Sequence, residues 1–424
     1  MLFLASRFAA MMRAIKVAWK HGGREMCRRL LTEKLDEWKK VPLNVAVTGE
    51  SGVGKSSFIN AIRGLNGYDK GAAAVDVTEA TGVTQPIRSY EHPNNPMLKF
   101  WDLPGVGTDE FPKATYLVDI EVDRYDFFLL ITAGRYKEND TWLGNEIRKR
   151  NKKFLFVRTK IGQDISNDKV TQPNSHDEKA VVKRIRESTI KHLKDNGFET
   201  VSVFLIDSHK VKQFQFEELE QHLVKSFADL KRSAVVLSLH ATCKQMVQVK
   251  EEELRRRIWK MAILSGFVAA APLPGLSIGV DVGIATGETK FYMQQLGLDE
   301  ESLQRYANFH KLDYKKLVII VNDALEVEAV GIDVAKWLPQ LLPHHLPYAS
   351  ASEIVTRLFL PITIGGNFAM CSRSYRSTHL VLTLILDKLV KAATMVNEFT
   401  VENACAAGSP ENAGPENDSP RKDQ

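Results

Sequence analysis

The sequence predicts an α/β domain with a parallel central sheet, together with a second domain that is all α-helical. From residue 41 to about 235, short apolar runs such as LNVAVTG and DFFLLIT alternate with helical stretches such as TWLGNEIRKR. This alternation is typical of a parallel sheet with helices on both faces. From residue 236 onward, long charged helical patterns such as CKQMVQVKEEELRRRIWKMAIL replace it. We therefore expect a sheet domain and a helical domain.

Four segments follow from this pattern. Residues 1–40 are expected to form an N-terminal helical segment, residues 41–235 the sheet domain, and residues 236–405 the C-terminal helical domain. Residues 406–424 have no periodicity and are rich in Pro, Gly, Asn and charged residues. Such a composition cannot bury a core, so this last segment is predicted to be a disordered tail.

The composition is that of a globular protein and gives no indication of nucleic acid as a partner. The chain has 424 residues, of which 44% are hydrophobic and 26% charged, and this length suits two or three domains. Its formal net charge of +5 is too small to indicate nucleic-acid binding. The cysteines, Cys27, Cys243, Cys371 and Cys405, form no CxxC pair. Neither a disulfide framework nor a metal knuckle is indicated, and a reducing compartment is expected.

The N-terminus has three interpretations. Arg, Lys and apolar residues are interleaved there, with no acidic residue before Glu25. We favour a helix packed on the helical domain. A helix lying on a membrane surface and a transit peptide for import into an organelle such as the mitochondrion are the alternatives. Leu2 follows the initiator methionine, so N-myristoylation is not indicated.

One apolar segment, residues 261–287, is long enough to resemble a membrane span. It contains Pro272, Pro274 and Asp281. The prolines interrupt a helix near its middle, and a carboxylate is costly in lipid. Two buried helices joined by a turn are therefore the better prediction.

A phosphate-binding loop is predicted at GESGVGKSS, which fits the pattern G-x-x-x-x-G-K-[ST]. An apolar strand precedes it and a helical stretch follows, as the mechanism requires. Backbone N–H groups surround phosphate oxygens in such a loop, the lysine reaches the β- and γ-phosphates, and the serine hydroxyl ligates Mg²⁺. The predicted nucleotide-binding residues here are Gly49, Glu50, Ser51, Gly52, Val53, Gly54, Lys55, Ser56 and Ser57.

Two further elements complete the predicted phosphate side. In LKFWDLPGVGT, Asp102 ends an apolar strand and suits contact with Mg²⁺ through water, while the Gly105 amide suits the γ-phosphate. Between the loop and this strand lie Thr78, Thr81 and Thr84. One of these threonines is expected to sense Mg²⁺ and the γ-phosphate, and the spacing alone does not select it.

The chain also resembles a known family. The runs LNVAVTGESGVGKSSFINAIRGL, WDLPGVGT, FVRTK and PLPGLSIGVDVGI closely resemble the interferon-inducible immunity-related GTPases, from about residue 30 to about residue 400. The resemblance implies a P-loop GTPase domain, a helical domain built from the chain before and after it, GTP and GDP as substrate and product, and Mg²⁺. It selects Thr81 as the Mg²⁺-binding switch threonine, because TEATG lies where the family carries a Glu-Thr-Thr run.

The resemblance further implies partners and a location. It indicates nucleotide-dependent self-association into dimers or oligomers, interaction with related GTPases, and defence against pathogens in vacuoles. The protein is expected to be cytoplasmic and peripheral on the endoplasmic reticulum, Golgi or vacuolar membranes. Residues 1–20 and the stretch around 365–395 are the candidate membrane-contacting helices.

The base-binding motif departs from the family pattern. The strand ending in VRTK is followed by IGQD, so Gly162 occupies the place of the aspartate that selects guanine, and Asp164 matches the second acid. Thr159 and Lys160 keep the expected nucleotide contacts. If Gly162 faces the base edge, Gly162→Asp is expected to restore two hydrogen bonds to guanine. The alternative is a shifted loop in which Asp164 reads the base.

The last base-side loop is predicted at LIDSHK. Asp207 and Ser208 are its plausible nucleotide contacts, and a helix cap is an equally good explanation of them.

Hydrolysis is expected to be slow in the isolated subunit. Val106 stands where small signalling GTPases carry a water-orienting glutamine. Family members are thought to use a carboxylate at the position of Glu50 when two GTPase domains meet, and a solvated loop acid is the alternative. Glu50, Lys55 and Thr81 are the predicted catalytic residues. A catalytically weak scaffold or regulator of related GTPases is the rival function, and Gly162 favours it.

Overall fold

The computed structural model describes residues 2–75, 87–108, 110–200, 202–241, 243–269, 276–341 and 366–407. Its sheet lies in the first half of the chain, where the sequence predicted it. The strands are β1 (Leu43–Thr48), β2 (Arg88–His92), β3 (Asn95–Asp102), β4 (Phe127–Thr132), β5 (Lys153–Arg158) and β6 (Val203–Leu205).

Helices fall into two groups, one around the sheet and one beyond it. Around the sheet are α2 (Lys55–Ile62), α3 (Tyr116–Asp119), α4 (Glu138–Lys149), α5 (Ile161–Thr171), α6 (Glu178–Asp195) and α7 (Phe216–Ser226). Beyond it are α1 (Leu2–Leu35), α8 (Asp229–Ser238), α9 (Lys244–Ala269), α10 (Leu276–Leu296), α11 (Glu300–His310), α12 (Tyr314–Leu325), α13 (Val334–Leu341) and α14 (Gly366–Ala407).

The sheet has six strands in the order β2-β3-β1-β4-β5-β6. All neighbours are parallel except β2, which pairs antiparallel with β3 through a tight turn after His92. The predicted parallel-type sheet is therefore confirmed. The edge strand β2 was not predicted, although the turn residues of HPNNP between two strand-like runs are a hairpin signal.

The sheet is buried on both faces, as a parallel sheet covered by helices should be. Along β4, every residue is buried, and the side chains alternate between two cores. Phe128 and Leu130 belong to the core that α4 and α6 cover, and Leu129 belongs to the core that continues into the helical part of the chain. This continuity attaches the helical part directly to one sheet face.

The central helix of the helical part is α9, which packs against α14, α1 and α10. A buried ion pair joins three of these helices: the Arg257 guanidinium on α9 donates two-pronged hydrogen bonds of 2.8 Å to the Glu288 carboxylate on α10. The same guanidinium donates to the backbone carbonyl of Leu35 at the end of α1, also at 2.8 Å. Planar, two-pronged recognition of this kind fixes the relative orientation of the helices.

The N-terminal helix α1 is packed on one side and exposed on the other. Ile15, Cys27 and Leu31 are buried in the core, in line with the favoured packed-helix interpretation. Val17 and Trp19 are more than half exposed. The helix is interrupted at Gly22 and Gly23, where Gly23 has φ of 57° and Gly22 is also non-helical.

The interrupted apolar segment forms two separate helices where it is described. One described helix reaches Ala269 and the next begins at Leu276, and the predicted break between them stays a prediction because residues 270–275 lie outside the described residues. Pro272 and Pro274 lie outside the described residues, as do residues 408–424 of the predicted tail. The tail was predicted to begin at residue 406, but Ala406 and Ala407 belong to α14. Within the described ranges, we find no helix with the length and apolar character of a membrane span.

Candidate nucleotide-binding site

The loop between β1 and α2 has the backbone of a phosphate cradle. Gly49, Gly52 and Gly54 all have positive φ, at 154°, 73° and 92°. A Cβ on Gly49 would lie 2.1 Å from the carbonyl oxygen of Ile131 on β4, so only glycine fits there. The predicted residues 49–57 thus form one loop and the first turn of α2, whose N-terminus contributes partial positive charge.

Lys55 begins α2 and folds its side chain back over the loop. Its ammonium donates hydrogen bonds to the carbonyl oxygens of Gly49 and Glu50, each at 3.0 Å. The lysine charge is therefore held at the loop, as the phosphate-binding motif requires.

Ser56 and Asp102 meet at the predicted metal position. The Ser56 hydroxyl donates to Asp102 Oδ2 at 2.9 Å, and Asp102 is largely buried at the end of β3. A hydroxyl and a carboxylate supply oxygen ligands, which Mg²⁺ prefers. Few protein ligands are needed, because water molecules and phosphate oxygens usually fill most of the Mg²⁺ coordination shell. In the described part of the chain, there is no group of three or more His, Cys, Asp or Glu side chains that could hold a metal ion.

The loop after Asp102 lies close against the phosphate loop. A Cβ on Gly105 would be 3.1 Å from the Gly49 carbonyl oxygen and 3.2 Å from Glu50 Cα. A larger side chain there would be tightly crowded, because the two backbones approach so closely. The predicted position of Gly105 beside the phosphates is consistent with this geometry.

Tyr116 holds this loop in place, and no sequence motif singled it out. Its hydroxyl donates to the Pro104 carbonyl at 2.7 Å and lies 2.9 Å from the Thr48 hydroxyl at the end of β1. Burial raises the pKa of Tyr116, so the hydroxyl stays protonated and remains a donor.

Glu50 is exposed at the rim of the loop and forms an ion pair with Lys137. Glu50 Oε1 and Lys137 Nζ are 2.7 Å apart, and both side chains are about half exposed or more. The hydrogen bond to the Glu50 carboxylate raises the pKa of Lys137. Lys137 directly precedes α4, and nothing in the sequence indicated this pairing.

Thr159 and Lys160 connect the end of β5 to the phosphate loop. The buried Thr159 hydroxyl donates to the Val53 carbonyl of the phosphate loop at 2.6 Å. A Cβ on Gly54 would lie 4.0 Å from Lys160 Cε, so the lysine stem runs beside the loop. Lys160 has φ of 59° and directly precedes α5. Both residues lie beside the phosphate loop, and their contact with nucleotide stays a prediction.

Asp164 is paired with Arg158, which counts against the sequence-based alternative in which Asp164 reads the base, and its contact with nucleotide stays a prediction. It lies in the first turn of α5, and its Oδ2 accepts a hydrogen bond of 2.6 Å from the Arg158 guanidinium. Burial raises the pKa of Asp164, while Arg158 opposes the shift. The loop has no extra residues folded away, because α5 begins directly at Ile161.

Gly162 is in contact with Asp207. The Gly162 amide donates to Asp207 Oδ2 at 3.2 Å, and a Cβ on Gly162 would lie 2.4 Å from that same oxygen. The expected gain from Gly162→Asp therefore needs correction, because the new side chain would collide with Asp207 and place two like charges together. Asp207 Oδ1 accepts from the His209 amide at 2.9 Å, and the Gly162 amide belongs to the first turn of α5, so Asp207 caps both its own turn and the N-terminus of that helix. Ser208 is half-buried beside it, and its contact with nucleotide stays a prediction.

The switch threonines fall outside the described residues. Residues 76–86 contain Thr78, Thr81 and Thr84, so the assignment of Thr81 as a ligand of Mg²⁺ and a catalytic residue stays a prediction.

Comparison with known proteins gives a consistent set of relatives. Residues 9–326 match the family model described as interferon-inducible GTPase. The chain is 35% identical to interferon-inducible GTPase 1 of Mus musculus over 311 residues, which is 72% of this chain and 74% of that protein. It is 31% identical to interferon-gamma-inducible GTPase 10 of Mus musculus over 368 residues, covering 87% and 84% of the two chains.

A third relative extends the comparison to another organism. Interferon-inducible GTPase 5 of Rattus norvegicus is 34% identical over 353 residues, which is 83% of this chain and 76% of that protein. The family match spans both the loop at residues 49–57 and helices beyond the sheet. The protein is a GTPase, which hydrolyses GTP, and it belongs to the interferon-inducible GTPase family.

Proposed function

We propose that this protein hydrolyses GTP mainly when two of its GTPase domains meet, and that it does so on an intracellular membrane surface in cell-autonomous immunity. The exposed Glu50–Lys137 pair at the rim of the phosphate loop is the observation that carries this proposal. Because the Glu50 carboxylate is exposed at the edge of the loop, it can contact the nucleotide site of a second subunit. The chain divides in this proposal into segments 1–40, 41–235, 236–405 and 406–424.

In the proposed mechanism, the loop amides and Lys55 bind the phosphates and orient the γ-phosphate. Ser56 would ligate Mg²⁺ directly, Asp102 would hold it through water, and Thr81 would complete the set when GTP is bound. The ion would neutralise charge that develops on the β- and γ-phosphates. Val106 cannot orient a water molecule, so the attacking water is left to a group that arrives with the second subunit.

Specific activity should rise with protein concentration. If two domains complete one site, turnover per subunit increases as the dimer or oligomer forms. Phosphate release measured from dilute to concentrated protein tests this. A specific activity that is flat over the range would remove the mechanism in trans. It would support the rival function of a weakly catalytic scaffold or regulator of related GTPases, which Gly162 favours.

Glu50→Ala should lower turnover by at least about tenfold while leaving GDP affinity nearly unchanged, since a catalytic acid or base contributes about 10²–10⁴-fold. Glu138→Ala is the matched control, because Glu138 is another exposed acid near the site, paired with Lys113 at 3.1 Å. Its turnover should equal that of the wild type. Loss of nucleotide binding in Glu50→Ala would instead assign Glu50 to the folding of the loop.

Membrane contact is proposed to be peripheral and to involve α1. Val17 and Trp19 are exposed on this helix between Lys16 and Lys20, and α14 carries the exposed Leu380. Apolar residues, with tryptophan, flanked by lysines are typical of a helix that lies in a membrane interface.

Val17→Asp combined with Trp19→Asp should reduce co-sedimentation with anionic vesicles severalfold. Val118→Asp is the control, since Val118 is exposed on the sheet domain and is outside the proposed surface. Alkaline carbonate should strip the wild-type protein from cell membranes. Retention after that wash would contradict peripheral attachment.

A further inference from the structure

We propose that the carboxylate of Asp207 reads the guanine base in this protein, and that Gly162 is the residue that makes room for it. Guanine presents a ring N–H and an exocyclic amine side by side, and a carboxylate accepts hydrogen bonds from both. The inference rests on nucleotide binding at the loop of residues 49–57, and it names the residue that decides which base is bound there.

Asp207 lies at the edge of the sheet where a base is expected. The backbone ladder continues beyond the strands: the Ile206 amide donates to the Arg158 carbonyl at 2.8 Å, and the Ile161 amide donates to the Ile206 carbonyl at 3.3 Å. Residues 162 and 207 are therefore neighbours just past the carboxyl ends of β5 and β6. Ligands of open parallel sheets bind outside these ends.

One oxygen of Asp207 lies near the place where an aspartate at residue 162 would put a carboxylate oxygen, although the Asp207 carboxyl carbon is farther away, 3.5 Å from the ideal Cβ position of Gly162. Asp207 Oδ2 lies 2.4 Å from the ideal Cβ position of Gly162. Within an aspartate, Cβ and a carboxylate oxygen are separated by about 2.4 Å, given C–C and C–O bonds of about 1.5 and 1.25 Å. An oxygen of Asp207 thus lies as far from that Cβ position as an oxygen of the missing side chain would.

Asp207 retains acceptor capacity for a base. An ionised carboxylate has about four lone-pair sites. Two are used, one by the Gly162 amide and one by the His209 amide, 3.2 and 2.9 Å away. These two bonds hold the carboxylate in place, so that it is preorganised and little entropy is lost on binding.

The alternative is that Asp207 only caps its turn. That role uses both oxygens, Oδ1 for the His209 amide and Oδ2 for the Gly162 amide, so an asparagine would retain only one of these bonds, and the loss would affect all nucleotides alike. Base reading would instead change the ratio between nucleotides. Asp207→Asn therefore separates the two roles. An asparagine can accept one hydrogen bond and donate one, so it mismatches guanine and matches xanthine, which has a carbonyl oxygen in place of the amine.

The test measures the affinities of GDP, ADP and xanthosine diphosphate by calorimetry on the full-length protein. We expect the wild type to prefer GDP. In Asp207→Asn, the GDP-to-xanthosine-diphosphate affinity ratio should fall on the order of 100-fold, because charge-assisted hydrogen bonds are lost on one base and regained on the other. Asp164→Asn is the matched control and should leave the ratio unchanged, because Asp164 is paired with Arg158.

Several outcomes would overturn the proposal. One is a wild type that binds GDP and ADP equally. Another is an Asp207→Asn variant that loses all three nucleotides alike, or none of them. These results would not contradict the assignment of Lys55 to phosphate binding, because Lys55 contacts the phosphates that all three nucleotides share.

A position swap gives an independent check. Gly162→Asp alone should weaken GDP binding about tenfold or more, because two carboxylates would share one place. Combining it with Asp207→Ser should recover GDP affinity, since the carboxylate is then supplied once, from residue 162. A Gly162→Asp variant that binds GDP more tightly than the wild type would contradict the assignment of Asp207.

Discussion

Lys55→Ala is expected to remove measurable nucleotide binding, because GTP and GDP affinities should fall by at least about 100-fold. Removing a charged hydrogen-bond partner of phosphate costs about 1.5–3 kcal/mol per bond. The Lys55 ammonium reaches two phosphates in this type of loop, so more than one bond is lost. Its charge already lies at the loop, where it bonds to the carbonyls of Gly49 and Glu50 at 3.0 Å. Titration calorimetry with GDP measures the loss.

The control for this variant is Lys70→Ala. Lys70 is an exposed lysine in the turn after α2, so its removal changes the net charge equally without touching the loop. Its GDP affinity should equal that of the wild type. Because Lys55 also bonds to the loop carbonyls, thermal unfolding of the variant should be recorded as well. Normal GTP hydrolysis by folded Lys55→Ala protein would show that the site has been misassigned.

Glu288→Ala should lower the free energy of unfolding by about 3–5 kcal/mol, the usual cost of leaving one partner of a buried ion pair without its counter-charge. The Arg257 guanidinium would keep its bond to the Leu35 carbonyl and lose both prongs to Glu288. Side-chain exposure is only 13% for Arg257 and 5% for Glu288, so water cannot replace the carboxylate. Urea denaturation monitored by circular dichroism measures the change.

The matched control is an exposed ion pair made by another arginine of α9. Arg255 of α9 pairs with Asp387 of α14, and both side chains are nearly half exposed. Asp387→Ala should cost less than about 1 kcal/mol, as exposed ion pairs do. The double variant Arg257→Met with Glu288→Leu should recover much of the lost stability, because apolar residues then fill the space. Equal losses in Glu288→Ala and Asp387→Ala would contradict the buried role of the pair.

The phosphate side of the site could be predicted from the sequence because it is contiguous. The motif from Gly49 to Ser57 encodes a strand end, a loop with left-handed glycines and a helix start within a few residues. Local backbone preferences determine such a structure, so no distant contact is needed. The central strands were predicted for a similar reason, since runs such as FFLLIT are apolar throughout when both faces are covered.

The edge of the sheet was harder to predict. The antiparallel strand β2 has mostly exposed polar residues, so its pattern lacks the apolar run of a central strand. Pairing with β3 makes it a strand, and that pairing is a property of the folded sheet. Tyr116 likewise contributes through contacts with Pro104 and Thr48 that its own neighbours do not reveal.

By itself, the sequence determined the fold class, the phosphate loop and the fact that the guanine-selecting aspartate is absent from position 162. Only the tertiary structure decided what that absence means, because Gly162 and Asp207 are 45 residues apart and meet only when β5 and β6 pair in register. The pairing of Glu50 with Lys137 and of Asp164 with Arg158 was decided in the same way. Backbone preference acts between neighbours in sequence, whereas a charge acts on whatever the fold brings within a few ångströms.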